Sequence, residues 1–203
     1  SMLRRKSAED RKTEIVAAVL DLADRIGPDR LTTNDIAQEV GVTQAAIFRH
    51  FPTKAELWTA VGDAIADRLE VAWQQAMDGN ASPMTRLLAL IAAQLQQIGE
   101  TPALPAILHS RELNVDNAAL RDRFRGVLMQ YQAHLVAHLQ AMAEAGMMGA
   151  GVQPKDAAVL LTSLVQGIAI RWSLGSRSFD IVPEGMRLLE VQLVLFACKE
   201  GQT

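Results

Sequence analysis

The sequence predicts an all-α fold of about nine helices: three small ones at the front forming a helix-turn-helix, and a larger helical bundle behind. Three observations carry this. Apolar residues recur at spacings of three and four along most of the chain, alternating strand patterns are nearly absent, and Gly or Pro falls between the periodic stretches. With 203 residues, 49% hydrophobic and 21% charged, the chain can bury a core and is too apolar for a disordered segment.

The helices follow in order. Over 8–26, Ile15, Val16, Val19, Leu22, Ala23 and Ile26 make one apolar stripe, which Gly27, Pro28 and Asp29 end. Short helices follow over 34–40 and 44–51, separated by Gly41. Pro52 breaks the chain, and Thr53 caps a long helix through Leu57, Val61, Ile65, Leu69 and Ala72 to about residue 77. Five more are expected over 84–99, 104–113, 118–145, 155–174 and 183–199. The expected organisation is a flexible basic arm (1–11), a helix-turn-helix unit (12–58, its motif at 32–51) and an effector-binding and dimerisation unit (59–203).

Composition excludes several classes. The 20 Lys and Arg against 23 Asp and Glu leave a net charge of −3, so a uniformly basic coat is excluded while a locally basic face is not. The single cysteine, Cys198, rules out an internal disulfide framework and a Cys-rich metal site; a cytoplasmic location follows as the expectation, with Cys198, among apolar neighbours, in packing or at an interface rather than in redox sensing. Ser1 ahead of Met2 reads as a tag remnant, and no secretory signal is expected. The most apolar stretch, 157–170, is interrupted by Thr162, Ser163, Gln166 and Gly167. It falls short of the roughly 20 apolar residues of a membrane span, so a soluble protein without a membrane partner is expected. No nucleophile elbow, phosphate-cradling Gly-rich loop or Asp-rich metal motif is present, and no enzyme activity is expected.

The informative stretch is 31–51, LTTNDIAQEVGVTQAAIFRHF. Thr32 and Asp35 form a capping box, Ile36, Ala37 and Val40 make the buried side of the first short helix, and the small Ala37 lets a second helix cross closely. Gly41 can adopt the left-handed conformation that ends a helix, Val42 plugs the turn, and Thr43 caps the next helix, whose inward residues are Ile47 and Phe51. Helix, Gly-containing turn and helix together are a helix-turn-helix. The outward face shows Gln44, Ala45, Ala46, Phe48, Arg49 and His50. Gln pairs with adenine edges, Arg with guanine, and Ala methyls lie against thymine methyls in a major groove.

Thr32-Thr33, Ile36-Ala37, Gly41-Val42-Thr43, the run Ile47-Phe48-Arg49-His50-Phe51, and Lys54 with Leu57 resemble the TetR family of bacterial transcriptional regulators. The resemblance is strong over about 11–61; beyond that it extends only to the number and length of the helices. It implies a dimeric repressor whose effector domain, on binding a small molecule, moves two reading heads apart. It also implies that Thr33 and Lys54 contact phosphates, that Asn34, Gln44, Ala45 and Ala46 face bases, and that Phe48 and His50 touch the backbone. The family commonly carries Tyr at position 48, where Phe48 has no hydroxyl to donate, and frequent Gly and Thr where Ala45 and Ala46 stand. Specificity is therefore expected to lean on Gln44, Arg49 and Asn34.

The first twelve residues carry a net +3, leaving −6 for the remainder. Arg4, Arg5, Lys6, Arg11 and Lys12 read either as a solvated leader or, beside a DNA-reading helix, as an arm reaching phosphates or the minor groove. In the larger unit, Trp73, His109, Phe124, Leu128, Tyr131, His134 and Gln166 are the candidate lining of an effector site suited to a lipophilic or aromatic molecule. His134 and His138 share a helical face but lack the Glu of a His-Glu-x-x-His motif, so no metal or other cofactor is expected. Leu161, Leu164, Val165, Ile168, Trp172, Leu189, Leu193 and Phe196 are the candidate homodimer interface, because the last two helices are apolar over much of their circumference. A pseudo-palindromic operator in double-stranded DNA, its half-sites roughly 34–36 Å apart, requires two heads. Two functions follow: a ligand-responsive repressor, or a DNA-binding protein of the same kind governed by a protein partner or by no effector, with an occupancy or architectural role.

Overall fold

The computed structural model describes residues 6–79 and 81–198, all of whose regular structure is helical. Local chemistry sets most boundaries. α1 (Ala8–Ile26) starts at Ser7, whose hydroxyl accepts from the Asp10 amide, and stops at Gly27, which has φ +87°. α2 (Thr33–Val40) carries the full capping box: Thr32 Oγ1 accepts from the Asp35 amide at 3.1 Å and Asp35 Oδ2 from the Thr32 amide at 3.0 Å. α3 (Gln44–His50) is capped by Thr43, which accepts from the Ala46 amide at 3.1 Å. Thr53 and Glu56 exchange the same reciprocal pair at the start of α4 (Lys54–Met77). The remaining helices are α5 (Pro83–Glu100), α6 (Leu104–Leu108), α7 (Arg111–Asp116), α8 (Ala118–Glu144), α9 (Pro154–Leu174) and α10 (Ile181–Ala197).

The described residues thus form ten helices, one more than expected. The segment 104–113 does not run through. Ser110 Oγ accepts from the Leu113 amide, restarting the helix as α7, and donates to Asp29 Oδ1 at 2.7 Å. The break is a tertiary one, set by a partner 81 positions earlier in the chain.

Two compact units emerge. The first comprises the chain to Asp67 with Thr101–Arg125; the second comprises Arg68–Glu100 with the chain from Gly126 on. Part of the segment after residue 58, including α6 and α7, therefore clusters with the helix-turn-helix. In the first unit α1 packs against α2, α3 and α6 around Ile15, Val19, Leu22, Ile36, Ile47 and Ile107. α4 and α8 approach closely at Gly62, where an added Cβ would overlap the Leu120 side chain. Beside it Arg123 pairs with Asp63 at 3.3 Å and Asp67 at 3.0 Å. In the second unit α10 packs against α5 and α9, with Leu87, Leu90, Leu95, Leu161 and Leu189 in the core.

Some expected burial shifts. Ile26 is exposed, Val16 and Val40 are half-buried, and Leu20 joins the core in their place. α9 is long and apolar enough by length and composition to cross a bilayer, contrary to the reading of 157–170. Seven of its side chains are buried in the second unit, so part of its apolar surface is turned into the core. Cys198, expected in packing or at an interface, is exposed just past the end of α10, which excludes packing inside the chain. The expected extension of that helix to 199 lies outside the described residues, as do Arg4 and Arg5 of the expected arm.

Candidate functional site

The helix-turn-helix is built as its residue types dictate. Gly41 sits at φ +81°, ψ +35°, in the left-handed region, and both its amide and that of Val42 donate to the Ala37 carbonyl at 2.9 and 3.0 Å. Ile47 and Phe51 are buried, which turns the opposite side of α3 outward. On that side Gln44, Ala45, Phe48 and Arg49 are exposed and Ala46 and His50 half-buried; Phe48 keeps 44% of its surface open. Asn34 is exposed at the start of α2, beside half-buried Thr33. Lys54, first residue of α4, donates from Nζ to the Leu31 carbonyl at 2.9 Å, which ties the entrance of α2 to that of α4. A surface that is flat, alanine-lined and carries free amide and guanidinium groups suits base edges; cations along its margin suit phosphates.

That margin is present. A groove of about 440 Å³ is lined by Lys6, Ser7, Ala8, Arg11, Val42, Ala46, Arg49 and His50, so the described part of the basic segment lies along α3. Glu14 modifies it in a way the charge count over the first twelve residues missed. Its carboxylate pairs with Lys6 at 2.8 Å and Arg11 at 3.4 Å, and the Lys6 hydrogen bond holds its pKa below the usual carboxylate range. Lys12 lies 5.9 Å above the Phe51 ring, a cation–π contact rather than a free charge.

The candidate effector residues divide. In the second unit the Trp73 ring lies 5.0 Å from Tyr131, tilted by 34°, and 6.4 Å from the edge-on ring of His134. One residue the sequence reading missed belongs here: Gln94, whose Oε1 accepts from Trp73 Nε1 at 2.8 Å; Gln97 lies one turn further along α5. The Tyr131 hydroxyl and Gln97 Oε1 are buried with no hydrogen-bond partner, and burial pushes the Tyr131 pKa up. The signal that could have found them is the pair of glutamines three apart in the stretch 87–98, which apart from Gln96 is apolar. Gln166 is half-buried on α9 and Leu128 exposed on α8, while His109 and Phe124 belong to the first unit, exposed and buried respectively. His138 approaches Met77 Sδ at 3.2 Å; desolvation, then Arg86 and His134, hold its pKa below the ordinary imidazole value. Among the described residues no group of three or more His, Cys, Asp or Glu is placed to hold a metal ion.

Two family profiles match the chain. One, described as bacterial regulatory proteins of the tetR family, covers residues 15–61. The other, described as the C-terminal part of BetI-type transcriptional repressors, covers residues 83–189, more than half the chain. The chain belongs to the TetR family. Members are DNA-binding transcriptional regulators and not enzymes. Among relatives, the chain is 28% identical over 127 residues to the nucleoid occlusion factor SlmA of Vibrio vulnificus strain YJ016. That match spans 62% of this chain and 65% of the relative's length. It is 21% identical to the transcriptional regulator AcrR of Shigella flexneri over 197 residues, 95% of this chain and 92% of that one. In three dimensions it is similar to a transcriptional regulator from Saccharomonospora viridis in complex with choline, with a TM-score of 0.78 at 20% identity, covering 90% of this chain and 95% of that one.

The expected pairing face of this TetR-family chain needs correction. Leu161, Val165, Ile168, Trp172, Leu189 and Phe196 are buried within the chain itself and leave little surface for a second copy; Leu164 and Leu193 are half-buried. The apolar residues left open on the same helices are Val159, Leu160, Ile170 and Leu174 of α9 and Val191, Val194 and Leu195 of α10. Both helices are apolar on two sides, and the sequence pattern alone does not say which side is turned inward.

Proposed function

We propose that this TetR-family chain is a cytoplasmic, ligand-responsive homodimeric repressor. It reads a pseudo-palindromic operator through α3 and releases it when a small lipophilic or aromatic effector enters the second unit. Gln44, Arg49 and Asn34 read base edges. Ala45 and Ala46 permit the close approach, Thr43 holds the start of α3 in place, Phe48 packs on sugar or thymine methyl groups, and Thr33, His50 and Lys54 contact phosphates. The observation that carries the reading is the exposed Gln44–Arg49 face, held between two capped helices and flanked by the groove of Lys6, Arg11, Arg49 and His50. Selection of bound duplexes from a randomised pool by the purified protein tests it. An enriched inverted repeat, bound with an affinity that falls steeply with salt, is the expected outcome. Absence of any enrichment at low ionic strength would overturn the reading.

Support for an effector comes from the Trp73, Tyr131 and His134 cluster, whose buried hydroxyl lacks a partner, and from the choline-bound structural neighbour. A buried polar group without a partner is costly, and an effector oxygen would satisfy the tyrosine. A molecule that both raises the melting temperature and releases DNA is the expected result of a thermal-shift screen. The match to a nucleoid occlusion factor favours a second reading, occupancy of DNA without an effector. Under it no compound releases the operator, and binding sites are dispersed rather than confined to promoters.

A further inference from the structure

The first unit contains a cleft that the proposed effector cluster does not use and that shares only Lys54 with the proposed DNA-contacting residues. Its volume is about 180 Å³, and it lies among the α1–α2 loop, the first turns of α4, and α7 with the residue that follows it. One wall carries donors. Lys54 and Trp58 are four apart on α4 and so share a face. Lys54 spends one hydrogen on the Leu31 carbonyl and keeps the others. Trp58 is only 3% exposed, yet its Nε1 meets no acceptor. An indole N–H normally finds a partner when buried, so this one marks a position where an acceptor is missing.

The opposite wall carries acceptors. Glu112 and Asp116 are likewise four apart, on α7, and both are exposed. Pro28 and Leu113 supply apolar surface between the two walls. The walls are held in place by bonds of their own. Ser110 joins α7 to Asp29 at 2.7 Å, and Asn117 Nδ2 donates to the Ala55 carbonyl at 3.0 Å while its Oδ1 accepts from the Leu120 amide at 3.0 Å. Asn117 and one oxygen of Asp29 are thereby engaged, and the groups left for a ligand are Lys54, Trp58, Glu112, Asp116 and the second oxygen of Asp29.

We propose that this cleft binds a small aliphatic zwitterion, its carboxylate on Lys54 and Trp58 and its ammonium on Glu112 and Asp116, with the methylenes against Pro28 and Leu113. A carboxylate provides the acceptor that Trp58 lacks and a counter-ion for Lys54. An ammonium provides the donors that two neighbouring carboxylates accept. A simple anion would face the two carboxylates, and a simple amine would leave the indole unsatisfied. The site is independent of whether the protein responds to an effector in its second unit.

The test uses the full-length protein and 5-aminopentanoate, with pentanoate and pentylamine as probes lacking one charge each. The three tryptophans give three indole N–H resonances in a ¹⁵N correlation spectrum; the one absent from Trp58→Phe is that of Trp58. Saturable movement of that resonance by 5-aminopentanoate, with both truncated probes weaker by about ten-fold or more, is the expected result. In a Glu112→Gln, Asp116→Asn variant, which alters only exposed side chains, affinity for 5-aminopentanoate falls by about the same factor while pentanoate is unaffected or binds more tightly. No movement of the Trp58 resonance, movement confined to the other two, or equal binding of all three probes would overturn the proposal.

Discussion

At the scale of single residues, the proposed reading face holds side chains able to recognise a base and others able only to fit against the duplex. Arg49 is exposed at the end of α3 and makes no ion pair among the described residues, so its guanidinium is available for the bidentate contact that guanine accepts. Arg49→Ala is expected to cost about 1–3 kcal/mol at the preferred operator and to relax selection at one base position rather than weaken all sequences equally. Titration of labelled duplexes against single-base variants of the selected site measures both. Phe48 is the converse case. Its ring is 44% exposed yet offers no hydrogen bond, and Phe48→Tyr adds a hydroxyl where a phosphate oxygen can accept. Affinity should rise several-fold for every duplex alike, by about 1 kcal/mol, leaving the sequence preference unchanged. A Tyr variant that binds no more tightly would place the ring away from the backbone.

At the scale of elements, α2 is a helix of eight residues and depends on its ends. The Asp35 carboxylate accepts from the Thr32 amide at 3.0 Å, and this bond, with the Thr32 hydroxyl beside it, holds its pKa below the ordinary value of 3.8. A carboxylate with a lowered pKa adds stability that is present above the unfolded value and is lost as pH falls through the folded one. The gap in melting temperature between the parent and Asp35→Ala should therefore be constant near neutrality and shrink below about pH 4. A gap that stays constant down to pH 3 would show that the capping box contributes through shape rather than charge. The same element explains what the sequence made legible. Thr32, Asp35, Gly41 and Thr43 act within a few residues of themselves, so caps, turn and the exposed face of α3 could all be read from the chain. The break between α6 and α7 could not, because the partner of Ser110 is Asp29 in a distant loop. Nor could the effector residues: the stripe Phe124, Leu128, Tyr131 on α8 has helical spacing, yet those side chains are buried in one unit, exposed, and buried in the other. Periodicity reports that a face is apolar and is silent on what covers it.

At the scale of the whole molecule, the proposed reading of a bipartite operator needs a pairing surface, and the open apolar residues of α9 and α10 are the candidates for it. α10 turns Ile181, Gly185, Leu189 and Phe196 inward, and this leaves Val194 and Leu195 at 71% and 62% exposure on the far side. Leu174, at 82%, and Ile170 extend the open apolar surface on α9. In the proposed homodimer this surface is covered by the same surface of a second copy across a two-fold axis. The double substitution Val194→Glu, Leu195→Glu tests this without disturbing the buried stripe, since neither side chain contributes to the core. Pairing would bring four carboxylates into a desolvated face, and the expected result is a monomer by sedimentation velocity with an unchanged helical circular dichroism spectrum. Such a monomer retains α3 and should still bind a single half-site weakly, while losing the additional affinity for the inverted repeat that comes from engaging both half-sites at once. If the double variant remains a dimer and keeps the full-site preference, the two chains must associate through a surface other than the exposed sides of α9 and α10.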